Sequence, residues 1–151
     1  MNKRQKGVAI VEFALVLPFL LLLTFITTEY GRAIWQYNTV TKSVRDAARY
    51  LSTQQPGTHI TQARNLAVYG NLAGTGTPLA LGLTLANVPV DSCCTWQEVS
   101  STPVNGSAPL INTVTVRITG YSFHSVFASA FGVPFGTVLF SDITATMRSF
   151  L

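Results

Sequence analysis

The chain has 151 residues, of which 48% are apolar and 11% are charged, against about 25% charged residues in an ordinary soluble domain. This length predicts about one domain, and the deficit of charge indicates a membrane segment or a protein buried in an assembly. Seven basic and three acidic residues up to Ser52 account for the net charge of +4, because the remainder carries three of each. That remainder has no basic stripe with interleaved aromatic residues, so nucleic acid is not an expected partner.

An apolar run, residues 8–28, follows a basic N-terminal stretch. A transmembrane helix needs about 20 apolar residues, whereas the apolar part of a cleaved signal peptide has about 7 to 15 and ends in small residues. The run therefore predicts one membrane-spanning helix. Lys3, Arg4 and Lys6 precede it, so the positive-inside rule places the N-terminus in the cytoplasm and the rest of the chain outside.

The helix is expected to continue beyond the membrane over residues 29–52, where Gly31 is the one glycine and no proline occurs. Pro18, inside the apolar run, predicts a kink that a membrane helix tolerates. Apolar residues recur at helical steps in the extension and predict a face that packs on the chain's own globular part. The stripe consists of Tyr30, Ile34, Tyr37, Val44, Ala48 and Leu51, with Val40 one position off it.

Residues 54–57, Gln-Gln-Pro-Gly, are expected to end this helix. Thr58 or Thr61 is predicted to cap a second helix, which closes at the glycine-rich stretch 70–76. That stretch has neither of the glycine spacings that bind dinucleotides or nucleotide phosphates. A phosphate site is therefore not expected.

Four later segments are rich in Val, Thr, Ile and aromatic residues and predict strands. They are residues 83–90, 95–101, 112–121 and 137–148. In the third segment apolar Val114, Val116 and Ile118 alternate with polar residues, as in a half-buried strand. The apolar stretch 123–136 is interpreted either as a short helix or as an exposed hydrophobic surface. The fold class is therefore predicted to be α+β, with a long N-terminal helix, a shorter second helix and a small antiparallel β-sheet head.

Residues 7–51 resemble the N-terminus of the TadE-like family. The members of this family are pilin-like proteins (pseudopilins or minor pilins) of bacterial tight-adherence pili. The matching features are the basic leader ending in Gly7, Glu12 five positions later, and the sequences LVLP, EYGR and AARYL. The resemblance is looser in NLAVYGN, VTVRITGYSF and TATMRSF. A glycine and a glutamate at this spacing are common in proteins, and their position at the cytoplasmic edge of a membrane run makes the pattern specific.

The resemblance implies cleavage by a prepilin peptidase between Gly7 and Val8, on the cytoplasmic side. It divides the chain into a cytoplasmic leader (1–7), a transmembrane helix (8–28), an amphipathic extension (29–52) and an extracytoplasmic α+β head (53–151). Glycine suits the cut because a backbone without Cβ lies close in a protease groove. The new amine of Val8 would be mostly positive at neutral pH.

Glu12 gains a role from this processing. A carboxylate at the centre of a membrane helix costs about 2.5 to 3.5 kcal/mol on insertion scales, and less near an interface. The pilin resemblance offers the Val8 amine of a neighbouring subunit as its partner. The alternative is that Glu12 lies at the interface, faces cytoplasmic water and contributes little.

Cys93 and Cys94 are adjacent and are the two cysteines of the chain. The predicted orientation places them outside the cytoplasm, where disulfides persist. Adjacent Cα atoms lie about 3.8 Å apart, below the usual disulfide range, so a strained vicinal bond, an intermolecular bond and two buried thiols all remain open. No metal site is expected, because the histidines lie far apart and form no zinc spacing.

Little in the sequence supports catalysis, and neither a catalytic residue nor a cofactor is expected. Ser122, His124 and Asp142 can be written as a triad, but no local nucleophile signature accompanies them. The resemblance instead implies a minor pilus subunit acting in pilus assembly or initiation, adherence and biofilm formation. A membrane-anchored enzyme is the least favoured interpretation.

The partners that the resemblance implies are the prepilin peptidase, the major pilin and other pilin-like subunits, and the inner-membrane assembly platform, besides membrane lipid. The expected location is the bacterial inner membrane, single-pass, with the head in the periplasm or, after assembly, in the extracellular pilus. The alternative is an unprocessed single-span membrane protein with an extracytoplasmic binding module.

Overall fold

The structure is a computed structural model that describes residues 4–100, 110–125, 129–130, 133–134 and 136–150. For residues 4–6, 100, 110, 129–130 and 133–134 only the backbone is described. The helices are α1 (Arg4–Leu51), α2 (Ile60–Tyr69) and α3 (Val90–Cys93), with a 3₁₀ turn at Leu85–Asn87. The strands are β1 (Cys94–Ser100), β2 (Leu110–Ile118), β3 (Ser122–Phe123), β4 (Ser129–Ala130), β5 (Val133–Pro134), β6 (Val138–Leu139) and β7 (Ile143–Arg148). The predicted α+β class is confirmed.

Helix α1 is 48 residues long, or about 72 Å at 1.5 Å per residue. The hydroxyl of each of its threonines donates to a carbonyl one turn back, as Thr24 does to Leu21 at 2.8 Å and Thr28 to Thr24 at 2.8 Å, so these polar groups are satisfied within the helix. The helix continues without a break through Pro18 and Gly31. The first half is exposed on all sides, and the second half is buried on one face.

That buried face forms one wall of the head's core. Its fully buried apolar residues are Val40, Val44, Ala47, Ala48 and Leu51. The two alanines are small enough for α2 to approach closely with Ala63 and Ala67, which are also fully buried. The predicted stripe is correct from Val44 to Leu51 and wrong before it.

The error lies in the first turns of the extension. Tyr30, Ile34 and Tyr37 are exposed, whereas Val40, which the pattern placed off the stripe, has no exposed surface. The buried positions in these turns are instead Glu29 and Gln36. The physical reason is that both buried positions carry polar side chains with partners, Gln36 with Tyr121 and Glu29 with Arg32, so hydrophobicity does not mark the packed face.

The core sheet is antiparallel with strand order β1-β2-β7. Strand β2 is central, with Cys94 opposite Val116 on one side and Ile118 opposite Ile143 on the other. The apolar alternating residues of β2 are buried, which confirms the half-buried strand, and they face α1. At the far end of α1 the Phe150 amide donates to the Ser52 carbonyl at 3.0 Å, which joins the C-terminal residues to the end of the helix.

The strand predicted at residues 83–90 is wrong, because this segment contains the 3₁₀ turn and the start of α3. The Asn87 Oδ1 atom accepts a hydrogen bond from the Thr84 backbone amide at 2.9 Å. This local bond competes with strand pairing. The strand predicted at 137–148 is divided into β6 and β7 by residues 140–142. Strand β6 pairs with β3 outside the core sheet.

Helix α2 ends as predicted at Gly70, whose φ of 73° is in the left-handed region that glycine adopts readily. The predicted threonine cap is wrong, because the N-cap is His59 and no side chain caps this end. The Thr58 hydroxyl instead donates to the Gln55 carbonyl at 2.7 Å. In the stretch 123–136 the described parts are residues 123–125, the two-residue strands β4 and β5, and residue 136, whereas residues 126–128, 131–132 and 135 lie outside the described residues.

Truncation of Leu51 tests whether the second half of α1 is core. Leu51→Ala removes a fully buried side chain and should lower the free energy of unfolding of the head by about 2–5 kcal/mol. Leu81→Ala, at a side chain that is 59% exposed, should change it by no more than about 0.5 kcal/mol. Denaturant unfolding of the detergent-solubilised chain measures both, and equal small losses would contradict the packing described.

Candidate functional site

The N-terminal tip of α1 carries the predicted processing and assembly residues. Gly7, Val8 and Glu12 lie in its first turns and are exposed, and with Val11 and Leu15 they line one shallow groove on the helix surface. Val8 and Glu12 are one turn apart and therefore share a face. Glu12 makes no ion pair with any side chain that the structure describes. This is a carboxylate displayed on an otherwise apolar surface.

The helix already begins at Arg4, so the bond between Gly7 and Val8 lies inside its first turns. The predicted leader, 1–7, is therefore not a separate structural element over its described part. Lys3 lies outside the described residues, and for Arg4 and Lys6 only the backbone is described, within the helix. The membrane orientation drawn from these three residues stays a prediction.

The exposed first half of α1 has the character of a membrane span. Within the described residues, one helix is long and apolar enough to cross a membrane. Its side chains from Val8 to Leu23 are mostly large, apolar and exposed, as expected of a surface that lipid covers. The chain is accordingly described as a single-pass membrane protein. The predicted kink at Pro18 stays a prediction, since the helix is continuous there.

Where α1 leaves the apolar run, it carries a partly buried ion pair between two of its own residues. Glu29 is 5% exposed, and Arg32, one turn later, donates to its Oε1 at 2.6 Å. The Arg32 guanidinium lies 5.7 Å from the centre of the Phe123 ring, within the range of a cation–π contact. Phe123 belongs to β3 and is buried. The two charges thus neutralise each other within α1, and the Arg32 guanidinium provides the contact with a ring of the head.

One turn further, a second polar contact joins the helix to the head. The Tyr121 hydroxyl donates to Gln36 Oε1 at 2.9 Å and lies 3.2 Å from the Leu81 carbonyl oxygen. Burial raises the pKa of Tyr121, so the phenol stays neutral and keeps its proton for donation. The Phe140 ring stacks on Tyr121 at 5.7 Å and meets Tyr37 at 5.3 Å. These contacts fix the head on α1 near its exit from the membrane.

The sequence patterns missed Glu29 and Gln36, but a signal was present. Glu29, Gln36 and Ser43 follow each other at intervals of seven residues, and all three are buried. Residues seven apart lie on one face of a helix. A polar residue repeated at this interval beside Val40 and Val44 indicates a packed face with hydrogen-bond partners.

Cys93 and Cys94 end α3 and begin β1, and the structure joins them in a disulfide between adjacent residues. Both are buried beside the core. The bond lies in the head, well away from the helix tip, so these cysteines belong to the packing of the head and not to the assembly residues.

The described contacts of His124 and Asp142 are not those of a catalytic triad. His124 Nδ1 lies 3.2 Å from the Ser122 carbonyl oxygen, not from its hydroxyl. Asp142 faces Arg117, with 4.0 Å between Oδ2 and Nη1. In the described part of the chain, no group of three or more His, Cys, Asp or Glu residues is placed to hold a metal ion.

Comparison with known families matches residues 7–49 to the family described as TadE-like protein. The predicted resemblance is thereby confirmed for the segment that contains the helix tip, the membrane run and most of the extension. No curated protein and no solved structure matches the chain. The match indicates a pilin-like protein associated with tight-adherence pili and, in general terms, with pilus components.

The stability of the head should depend on the protonation of Tyr121. Because its pKa is raised in the folded chain, the unfolded chain loses this proton first as the pH passes the ordinary tyrosine value of about 10. Its contribution is therefore complete below that pH and is lost above it. Tyr121→Phe, which leaves Gln36 without its donor, should cost about 1–3 kcal/mol at neutral pH.

The difference in unfolding free energy between the native chain and Tyr121→Phe should therefore stay constant up to about pH 10 and shrink as the pH rises above that value. Urea unfolding at several pH values measures it, and the variant itself controls for the other tyrosines. A difference that stays constant as the pH rises above about 10 would contradict the role given to the Tyr121 hydroxyl.

Proposed function

We propose that the chain is a minor pilin-like subunit of a tight-adherence pilus, released from its leader after Gly7 by a prepilin peptidase. The observation that carries the proposal is the exposed carboxylate of Glu12, one turn after the proposed cut on a membrane helix. A helix that serves only as an anchor gains nothing from this charge, which costs free energy in lipid. A helix that leaves lipid for an assembly can use it.

Cleavage requires the backbone around Gly7 to leave the helix, because proteases hold their substrates extended. The cut lies near the beginning of α1, where the first amides have no partner within the helix and where helix ends open most readily. Glycine also weakens a helix by about 1 kcal/mol relative to alanine. Both features favour local unwinding at this bond while the rest of α1 stays folded.

After cleavage, Glu12 would pair with the positive amine of Val8 on a neighbouring subunit. The groove beside Glu12 is lined by apolar Val11 and Leu15, so a helix packed there would exclude water and strengthen the attraction. The pair would set the axial stagger between neighbouring helices. The partners in this scheme are the peptidase, the major pilin and other pilin-like subunits, and the assembly platform of the inner membrane.

In this proposal the N-terminus faces the cytoplasm and the head occupies the periplasm. The subunit acts in pilus assembly or initiation, and through the pilus in adherence and biofilm formation. No catalysis by the chain is proposed. The competing possibility is an unprocessed single-span protein whose head is a binding module, and the mass of the N-terminus separates the two.

The first test is the mass of the N-terminal peptide. In cells with the prepilin peptidase the chain should begin at Val8, and without the peptidase at Met1. The Gly7→Leu variant should begin at Met1 in both kinds of cell, because a side chain at this position obstructs the protease groove. A Cβ at Gly7 would meet nothing within 4 Å in the folded chain, so loss of cleavage would not come from a clash within the fold.

Gly31→Leu is the matched control, since a Cβ at Gly31 on the same helix also meets nothing within 4 Å. This variant should be processed like the native chain. An intact leader on the native chain in peptidase-competent cells would contradict the proposal and support the unprocessed membrane protein.

The second test is Glu12→Gln, which removes the charge and keeps the size of the side chain. Processing should remain, while co-purification with pilus subunits should fall by about tenfold to a hundredfold, because a carboxylate near the membrane interface costs less than the value of about 2.5 to 3.5 kcal/mol at the bilayer centre and about 1.4 kcal/mol corresponds to tenfold. Glu98→Gln, at an exposed acid of the head, should change neither. If Glu12→Gln leaves processing, co-purification and piliation intact, the pairing role of Glu12 is wrong.

A further inference from the structure

We propose that the head rests on the bilayer through a second membrane contact beside α1. The surface consists of Tyr30, Ile34 and Tyr37 on α1 with Val138 and Leu139 of β6, and is called the junction surface below. Its partner is the boundary between acyl chains and headgroups in the leaflet from which α1 emerges. The proposal rests on the membrane span of α1 and needs neither cleavage nor a pilus.

The first argument is position along the helix. Ile26 belongs to the last turn of the apolar run, and it lines one groove together with Tyr30, Gly136 and Val138. Strand β6 therefore lies at the level where α1 leaves the hydrocarbon. A part of the head held at that level meets lipid if its outer face is apolar.

The second argument is that the outer face is apolar and open. Leu139 is 70% exposed and Val138 52% exposed, and on the helix Tyr30 is 69% exposed. A second groove, lined by Tyr30, Ile34, Tyr37 and Val138, makes the helix and strand parts continuous. An exposed apolar patch of this kind marks a binding site more often than free surface.

The third argument is chemistry. Tyrosine and tryptophan concentrate at the membrane–water boundary, and Tyr30, Trp35 and Tyr37 fall within the first three turns after the apolar run. Residues 125–141 contain no charged residue. Between residues 13 and 41 the charged residues are Glu29 and Arg32, and they neutralise each other at 2.6 Å. No net charge opposes contact with lipid.

Lipid is favoured over a second copy of the chain because the surface is continuous with the span itself. While α1 crosses the bilayer, apolar side chains beside Ile26 are already at the depth of lipid. The contact would hold α1 at two points, so the helix would lean toward the side of the head. A subunit leaving the membrane would then have to cover the junction surface again.

The test is depth-dependent quenching of tryptophan fluorescence by brominated phosphatidylcholine in vesicles that contain the full, unprocessed chain. Both native tryptophans are first replaced by phenylalanine. Trp35 is exposed, and among the residues that the structure describes the Trp96 indole nitrogen has no hydrogen-bond partner to lose. Single tryptophans are then introduced as Leu139→Trp, Leu15→Trp in the span, and Val99→Trp, an exposed apolar site on β1 in the core sheet.

Leu139→Trp should be quenched several-fold more by bromines near the headgroups than by bromines deep in the acyl chains. Its emission maximum should lie at a shorter wavelength than that of Val99→Trp. Leu15→Trp should show strong quenching by deep bromines, and Val99→Trp should show none. If Leu139→Trp behaves like Val99→Trp while Leu15→Trp is quenched, the head contact is wrong and the span is intact.

Two other outcomes also overturn the proposal. A blue-shifted but unquenched Leu139→Trp, whose emission depends on the amount of protein per vesicle, would mean that a second copy covers the surface. An unquenched Leu15→Trp would contradict both the membrane span of α1 and the contact of the head with the bilayer. Neither outcome depends on cleavage after Gly7, so failure here is distinguishable from failure of the pilin proposal.

Discussion

One helix serves two environments, and the rest of the structure depends on its continuity. The first half of α1 exposes apolar side chains on every side, and the second half supplies the buried wall of the head from Val40 to Leu51. The helix is unbroken at Gly31, where the two halves meet. A displacement of the span is therefore transmitted to the head, because no linker lies between them to absorb it.

The two glutamates of α1 show how differently its ends are arranged. Glu29 is buried and pairs with Arg32 at 2.6 Å, and the Arg32 guanidinium lies 5.7 Å from the centre of the Phe123 ring. With the Tyr121 bond to Gln36 as well, the buried polar side chains of α1 beside the head have partners within the chain. Glu12 is exposed among apolar side chains, with no ion pair to any described side chain. The tip of the helix is therefore where a partner from outside the chain has most to contribute.

Much of the fold could be predicted from local pattern, as the long helix, Gly70 at the end of α2 and the alternating strand β2 show. The buried face of α1 before Val40 could not, because Gln36 is buried by a bond to Tyr121, 85 residues away in sequence. Residues 83–90 have the composition of a strand, but Asn87 satisfies a local amide and makes a turn. At the tip, the spacing of Gly7 and Glu12 is visible in the sequence, whereas the groove that Ile26 shares with Val138 of β6 depends on tertiary structure.

The continuity of α1 is tested most directly by a distance across the exit from the membrane. Spin labels at Phe19→Cys and Arg45→Cys, both exposed positions, would span the end of the apolar run, Gly31 and the start of the head. The native cysteines are joined to each other, and unlabelled native chain controls for them. Electron–electron resonance in a bilayer should give one narrow distance of about 39 Å, the length of the intervening helix at 1.5 Å per residue. A broad or clearly shorter distribution would mean that the helix breaks near Gly31 and that span and head move independently.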